Sequence, residues 1–222
     1  MSPREDERER CPVGEKNCAR LDELDQALRQ IADLSAQLHI DTLTGLYNYR
    51  HFLQFAEQEL ERTRRNGQPT VLVMVDLDHF KCVNDDWGHE AGNQTLRHCA
   101  ALMKRELRKI DIPCRYGGEE FALLLPATEL PHGVAVANRL SRIIRQTPVE
   151  LGGQQIWVTA SMGVDVARKG EELTPGALVE RADALLYQAK IGGRDRVCHP
   201  DYRMLRPKGQ VGREEKEELL KP

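Results

Sequence analysis

Apolar residues early in the chain recur at Leu21, Leu24, Leu28, Ile31, Leu34 and Leu38, with charged residues and glutamine between them. That spacing predicts an amphipathic helix over 19–40, and it resembles a short, imperfect coiled-coil seam. Such a stripe can pack on its own domain or pair with a second copy, and about two and a half heptads leave both open. At 41 the pattern changes to DTLTGLYNYRHF, where Asp41 can cap a turn and Gly45 interrupts the helix, so the domain boundary falls here. Helical spacing resumes from Phe52 to Arg64. After Gly67 and Pro69, the unbroken apolar run VLVMV at 71–75 reads as a strand buried on both faces, leading into Asp76-Leu77-Asp78.

Gly88 to Leu107 returns to a helical period. Pro113 to Tyr116 and Glu119 to Leu125 read as two strands around a Gly117-Gly118 turn. A helix follows over 131–146, then a strand from Ile156 to Val166 and a last long helix from Ala177 to Lys190. Strands and helices mixed around a central hairpin predict an α/β fold, an α+β sandwich of about five strands, occupying 41–198. The ends differ. Residues 1–18 are charged and carry Pro3, Pro12 and Gly14, which reads as a loose arm, and 199–222 is polar with Pro200, Pro207, Gly209 and Gly212, which reads as a poorly ordered tail.

A formal net charge of −3 over 222 residues lacks the basic footprint of a nucleic-acid-binding protein. Phosphate chemistry must therefore be local. The start MSPREDERER is charged, and no stretch approaches the ~18 apolar residues that span a bilayer, so a cytoplasmic location is expected. The six cysteines are scattered and expected to be reduced, and the Cys11–Cys18 spacing does not match common zinc-ligand patterns.

Asp76 and Asp78 lie at the end of an apolar strand, where a carboxylate has no packing purpose. Alone they fit an ordinary strand-ending turn. Glu119 and Glu120 follow a Gly-Gly turn, and alone they fit a solvated hairpin. Taken together, a strand-end acid and hairpin-tip acids suit a magnesium-phosphate site, because a hard cation takes a few carboxylates and carbonyls while phosphates complete its shell.

Five ordered segments give this reading a family. DTLTGLYNYRHF at 41–52, DLDHFKCVNDDWGHEAGNQTL at 76–96, RYGGEEF at 115–121, ASMGV at 160–164 and ADALLYQAKIGGRDRV at 182–197 resemble the GGDEF-domain diguanylate cyclases, here in a GGEEF variant. The resemblance implies a central antiparallel sheet flanked by helices, similar to the palm of nucleotidyl cyclases and some polymerases, with a helical stalk in front. It implies that two GTP molecules are condensed to cyclic di-GMP across a domain dimer, with release of pyrophosphate. Two Mg2+ ions per site, replaceable by Mn2+, would be held by Asp76, the Leu77 carbonyl, Glu119 and Glu120, with Glu120 assisting deprotonation. The backbone at His79 and Phe80, with Lys81, Lys190 and Arg194, would receive phosphates. Asn84 and Asn93 would read guanine.

Two departures stand out. Tyr49-Arg50 replaces the arginine pair usual after Asn48, and Asn93 replaces the usual aspartate. Aspartate can accept from both guanine donors, whereas asparagine offers one acceptor end and one donor end, which leaves a cyclase of mixed dinucleotides as one alternative. A catalytically silent cyclic di-GMP-binding scaffold is the other, although the acids and lysines it would lose are present. By the same resemblance, Arg108 and Asp111 form an RxxD product-binding site for feedback inhibition, with Arg139 as a further arginine. A surface i, i+3 ion pair is the plainer account of that pair. The layout is also similar to short soluble cyclases of the SiaD type, in which a small regulatory protein acts on a helical stalk.

Overall fold

The computed structural model describes residues 23, 24, 26–28 and 39–201. The chain divides into two units, 1–39 and 40–222. In the first, Glu23, Leu24, Gln26, Ala27 and Leu28 are helical. The rest of the expected stalk to 38, the arm at 1–18 and the tail beyond Asp201 lie outside the described residues.

The second unit runs β1 (Tyr47–Asn48), α1 (Tyr49–Asn66), β2 (Thr70–Leu77), α2 (Phe80–Trp87), α3 (His89–Glu106), β3 (Ile112–Gly117), β4 (Glu120–Leu125), α4 (Leu130–Gln146), β5 (Val149–Leu151), β6 (Gln154–Ile156), β7 (Ala160–Ala167), α5 (Pro175–Ile191) and β8 (Val197–Cys198). The main sheet has the order β1-β3-β4-β2-β7-β8. Its four long strands are antiparallel neighbours, while the two-residue edge strands β1 and β8 join in parallel.

The apolar run at 71–75 becomes the central strand because both of its faces are covered. Val71, Val73, Val75 and Leu77 enter one core with residues of α3 and α4, and Leu72 and Met74 enter a second core with residues of α1 and α5. The two-residue period of a strand thus sorts one hydrophobic sequence into two layers of helix, an α/β/α sandwich. Local signals set the helix ends. The Asn48 side chain accepts from the His51 N–H at 3.0 Å to open α1, and Gly67 closes it with φ 77°, donating its N–H to the Thr63 carbonyl. Thr174 caps α5, with Pro175 in the first turn.

The expected elements and the observed ones differ in three places. The sheet is wider than about five strands, owing to the two short edges. The expected strand at 156–166 is divided: β6 ends at Ile156 and pairs with β5 in a separate ribbon, and β7 begins only at Ala160. Gly152 and Gly153, both at positive φ, make the ribbon's turn, and three-residue strands are too short to show a period. An additional helix, α2, occupies 80–87. His79 precedes it in the left-handed region (φ 56°), which turns the chain sharply out of β2.

The close approach of α5 to the sheet depends on Gly163 in β7. A Cβ there would lie 2.1 Å from the Ala182 carbonyl oxygen and 2.3 Å from the Leu186 nitrogen. Only glycine lets helix backbone rest on strand backbone at this distance. No described helix is long and apolar enough to cross a membrane.

Candidate active site

Asp76 is the next-to-last residue of β2 and the direct antiparallel partner of Glu120, the first residue of β4. Acids separated by more than forty positions are therefore cross-strand neighbours. The hairpin turn sits one residue later than the sequence suggests. Gly117 pairs with Glu120, so the central turn residues are Gly118, at φ 40°, and Glu119, which is not in the strand. A register irregularity between Arg115 and Gly117 produces this shift.

Arg115 fastens the turn. Its Nε and Nη2 donate to the Gly118 carbonyl at 3.0 and 2.9 Å, while Nη1 reaches the Asp41 carboxylate at 3.2 Å. Asp41 also accepts from the Thr44 hydroxyl at 2.6 Å and the Thr44 N–H at 2.9 Å. Burial pushes the Asp41 pKa upward, but the Thr44 hydrogen bonds and Arg115 outweigh it and hold the group below its usual range. The segment at 41–45 therefore acts as a brace for the GGEEF turn. Nothing local in the sequence joins residues 41 and 115, so this role was not foreseen.

The site's acids are not freely solvated. Asp76 is only 8% exposed, and Lys190 from α5 binds its Oδ2 at 2.7 Å. Burial raises the Asp76 pKa, against the opposing influence of Lys190 and with further upward pressure from Glu119 and Asp78. Burial also raises that of Glu120, with the negative charge of Asp76 adding to it. Asp183 on α5 contributes in the same direction, a residue the sequence reading did not single out.

Asp78 has a different fate from Asp76. It is 5% exposed; Oδ1 accepts from the Ser161 hydroxyl at 2.7 Å, and Oδ2 accepts from the Thr159 hydroxyl at 2.7 Å and the Asp195 N–H at 3.0 Å. Its acceptor capacity is committed to tying β2, β7 and the loop after α5 together. That loop carries Arg194, which is exposed, left-handed at φ 61°, and bonded through its N–H to the Ala189 carbonyl. Asp195 is further anchored by Arg145 at 2.7 Å.

The expected phosphate and base residues cluster around α2 and α3. Phe80 is buried in the core, so only its backbone can serve a ligand, whereas Lys81 is exposed at the N-terminal turn. The first N–H groups of a helix lack intrahelical acceptors and favour anions. Asn84 on α2 lies against Gly92 of α3: a Cβ at Gly92 would sit 2.0 Å from Asn84 Oδ1. Asn93, the next residue, is half-buried and donates to Glu90.

Arg108 and Asp111 lie beyond α3 rather than on it. Asp111 is buried, and its carboxylate accepts from the Arg108 N–H at 2.8 Å, from Nη2 at 2.8 Å and from Nε at 3.2 Å, while the same Nη2 also donates to Thr128 Oγ1 at 2.8 Å. This is a structured turn and not merely a solvated ion pair on a helix face. Arg139 is bound separately by Glu106, through its carbonyl at 2.9 Å and its carboxylate at 3.3 Å.

Among the described residues, no three acidic, histidine or cysteine side chains form a ready cage for a metal. A magnesium ion does not need one, since it keeps water and phosphate oxygens and takes one or two carboxylates from the protein. Asp76 and Glu120, crowded across two strands with the Leu77 carbonyl and Glu119 adjacent in the chain, fit that requirement.

Comparisons agree with the geometry. Response regulator PleD of Caulobacter vibrioides is 40% identical over 173 residues, covering 77% of this chain and 38% of that protein. Diguanylate cyclase DgcP of Pseudomonas aeruginosa is 43% identical over 157 residues, covering 71% and 23%. The chain thus spans well under half the length of these curated relatives. The crystal structure of diguanylate cyclase SiaD in complex with its activator SiaC, from Pseudomonas aeruginosa, superposes with a TM-score of 0.70 at 42% identity, covering 82% of this chain and 70% of that one. The family model for the diguanylate cyclase GGDEF domain matches residues 38–196. This chain belongs to the diguanylate cyclase GGDEF-domain family.

Proposed function

We propose that the chain is a diguanylate cyclase that condenses two GTP molecules into cyclic di-GMP. The observation that carries this reading is the meeting of Asp76 and Glu120 across β2 and β4, with Lys190 at 2.7 Å from Asp76. A carboxylate pair beside a cation from the last turn of α5 suits a nucleoside triphosphate and not an apolar ligand.

In this reading the 3′-hydroxyl of one GTP attacks the α-phosphate of the other, and pyrophosphate departs from the opposite side. Each domain supplies one GTP, so the working enzyme is a homodimer. Glu120 accepts the hydroxyl proton. Asp76, the Leu77 carbonyl, Glu119 and Glu120 would hold Mg2+ or Mn2+, which when bound would neutralise phosphate charge and acidify the attacking hydroxyl. Lys190 exchanges its Asp76 contact for phosphate, and Lys81, the backbone at His79 and Phe80, and Arg194 add further contacts. Asn84 and Asn93 read the guanine edge.

Product feedback operates at Arg108, Asp111 and Arg139. Bound cyclic di-GMP must then displace part of the Arg108–Asp111 pairing, most readily on the Arg108 side, whose side chain is 53% exposed against 2% for that of Asp111. The helical segment ahead of the domain receives a small regulatory protein, in a cytoplasmic setting. The likeness to SiaD, solved in complex with its activator SiaC, supports a regulatory partner.

The test is to incubate purified full chain with Mg2+ and GTP, ATP or both, and to identify products by mass spectrometry. Cyclic di-GMP from GTP alone is expected. Binding of cyclic di-GMP without synthesis would make the chain a silent scaffold.

A further inference from the structure

Asn93 occupies the position where a base-reading aspartate would accept two hydrogen bonds, and an unrestrained asparagine there is a poor discriminator. Its carboxamide offers one acceptor and one donor side by side. Guanine presents two donors, N1–H and the 2-amino group; adenine presents a donor at N6 beside an acceptor at N1. A freely turning asparagine therefore complements adenine in bidentate fashion and satisfies guanine only in part.

The asparagine is not free. Its Nδ2 donates to Glu90 Oε2 at 3.3 Å, one turn earlier on α3. Glu90 is itself held at its other oxygen, where Oε1 accepts from Arg97 Nη1 at 2.9 Å. An ionised carboxylate has no proton to donate, so it can face only the nitrogen side of the carboxamide. The Asn93 oxygen is thereby turned to the opposite side. The Arg97 hydrogen bond holds Glu90 below the usual carboxylate range, so it remains an ionised acceptor to more acidic pH than an isolated glutamate.

We propose that Glu90 is a specificity-determining positioning residue: by engaging one N–H of the Asn93 amide it fixes which way the carboxamide points, so that the group presents its carbonyl oxygen to guanine N–H and no longer turns freely to match the donor–acceptor edge of adenine. Arg97 fixes Glu90 for this task. The proposal rests on the base-pocket reading given above and assigns it a second layer, in which an asparagine is made to behave as half of an aspartate. Asn84, packed against Gly92 beside Asn93, supplies the neighbouring polar group.

The experiment compares GTP with ATP in the full chain with Mg2+, as the ratio of kcat/KM for pyrophosphate release. Parallel Kd values come from calorimetry with analogues whose α–β bridge is a methylene. Glu90→Ala is expected to lower the GTP/ATP ratio about 5-fold, the weight of one net hydrogen bond, mainly by improving ATP. Glu90→Gln retains most of the preference, because its carbonyl can still accept from Asn93. The drop must disappear when Asn93→Asp is added. There Glu90 faces a second carboxylate, and Glu90→Ala leaves the ratio unaltered or raises it. A general loss of structure or charge would move both backgrounds the same way.

If Asn93→Ala lowers the GTP/ATP ratio while Glu90→Ala leaves it within about twofold, the positioning role is wrong and the base pocket stands. If neither substitution alters the ratio, the base-pocket reading itself fails, and this inference goes with it.

Discussion

Replacing Gly163 by alanine tests whether the contact between α5 and the sheet sets the site's geometry. The added Cβ would meet the Ala182 carbonyl oxygen at 2.1 Å and the Leu186 nitrogen and Cα at 2.3 and 2.9 Å. All three are backbone atoms of a helix, and no side-chain rotation relieves the clash. Since comfortable contacts lie near 3.5 Å, α5 must retreat by about 1 Å or more. Overpacking of this kind lowers stability by about 1–3 kcal/mol, and a protein of this size loses ~2–4 °C of Tm per kcal/mol. The larger effect falls on activity. Lys190 rides on the displaced helix, its 2.7 Å contact with Asp76 is broken, and a misplacement of 1 Å near reacting groups lowers turnover about 100-fold. Gly176→Ala provides the control, because its nearest neighbour is Thr174 Oγ1 at 4.0 Å. Thermal melts and pyrophosphate release on both variants decide the matter. Gly163→Ala melting within about 1 °C of wild type and retaining synthesis within about threefold would refute the close approach.

Glu120→Gln should abolish synthesis while the metal-free protein melts no lower than wild type, because burial and the charge of Asp76 disfavour the carboxylate it removes; a marked drop in melting temperature would contradict this. Arg108→Ala should keep synthesis but weaken cyclic di-GMP binding by calorimetry and let product accumulate further, at a stability loss of about 1 kcal/mol from the broken Asp111 contacts; unchanged product inhibition would leave the turn purely structural. Deleting residues 1–38 should lower specific activity most at dilute enzyme, and an unchanged concentration dependence would count against a stalk. For Asp41 the folded pKa is depressed, so its stabilisation is present above the ordinary value of 3.8 and is lost as pH falls through the lower folded value. Wild type should therefore lose its stability advantage over Asp41→Asn in that acid window, as read by melts across pH.

Local pattern carried the long elements well. The run at 71–75 and the glycines of the hairpin act within a few residues, so strand β2 and the β3–β4 pair could be read before any coordinates, whereas the caps at Asn48 and Thr174 were not singled out, and α1 and α5 begin at Tyr49 and Pro175, ahead of the Phe52 and Ala177 that helical spacing marks. The one-residue error in the GGEEF turn has the same origin. Two consecutive glycines permit either register, and the choice is made by Arg115 binding the Gly118 carbonyl while Asp41 holds Arg115 from another segment.

Asp76 and Asp78 show where sequence reasoning runs out. The two acids are separated by one residue, have the same chemistry, and end the same strand. Reading them as equally free to enter a cleft was reasonable. Which acid stays available depends on donors brought from far along the chain: Ser161, Thr159 and the Asp195 N–H occupy both oxygens of Asp78, while Asp76 receives one lysine ammonium at Oδ2. A carboxylate saturated by fixed hydroxyls and an amide is structure; one balanced by a single lysine is reactive. Burial therefore does not separate the two roles, since both are nearly enclosed. The kind of donor does: Asp78, through Thr159, Ser161 and the Asp195 N–H, ties the loop that carries Arg194 to β7 and to β2, the strand that carries Asp76.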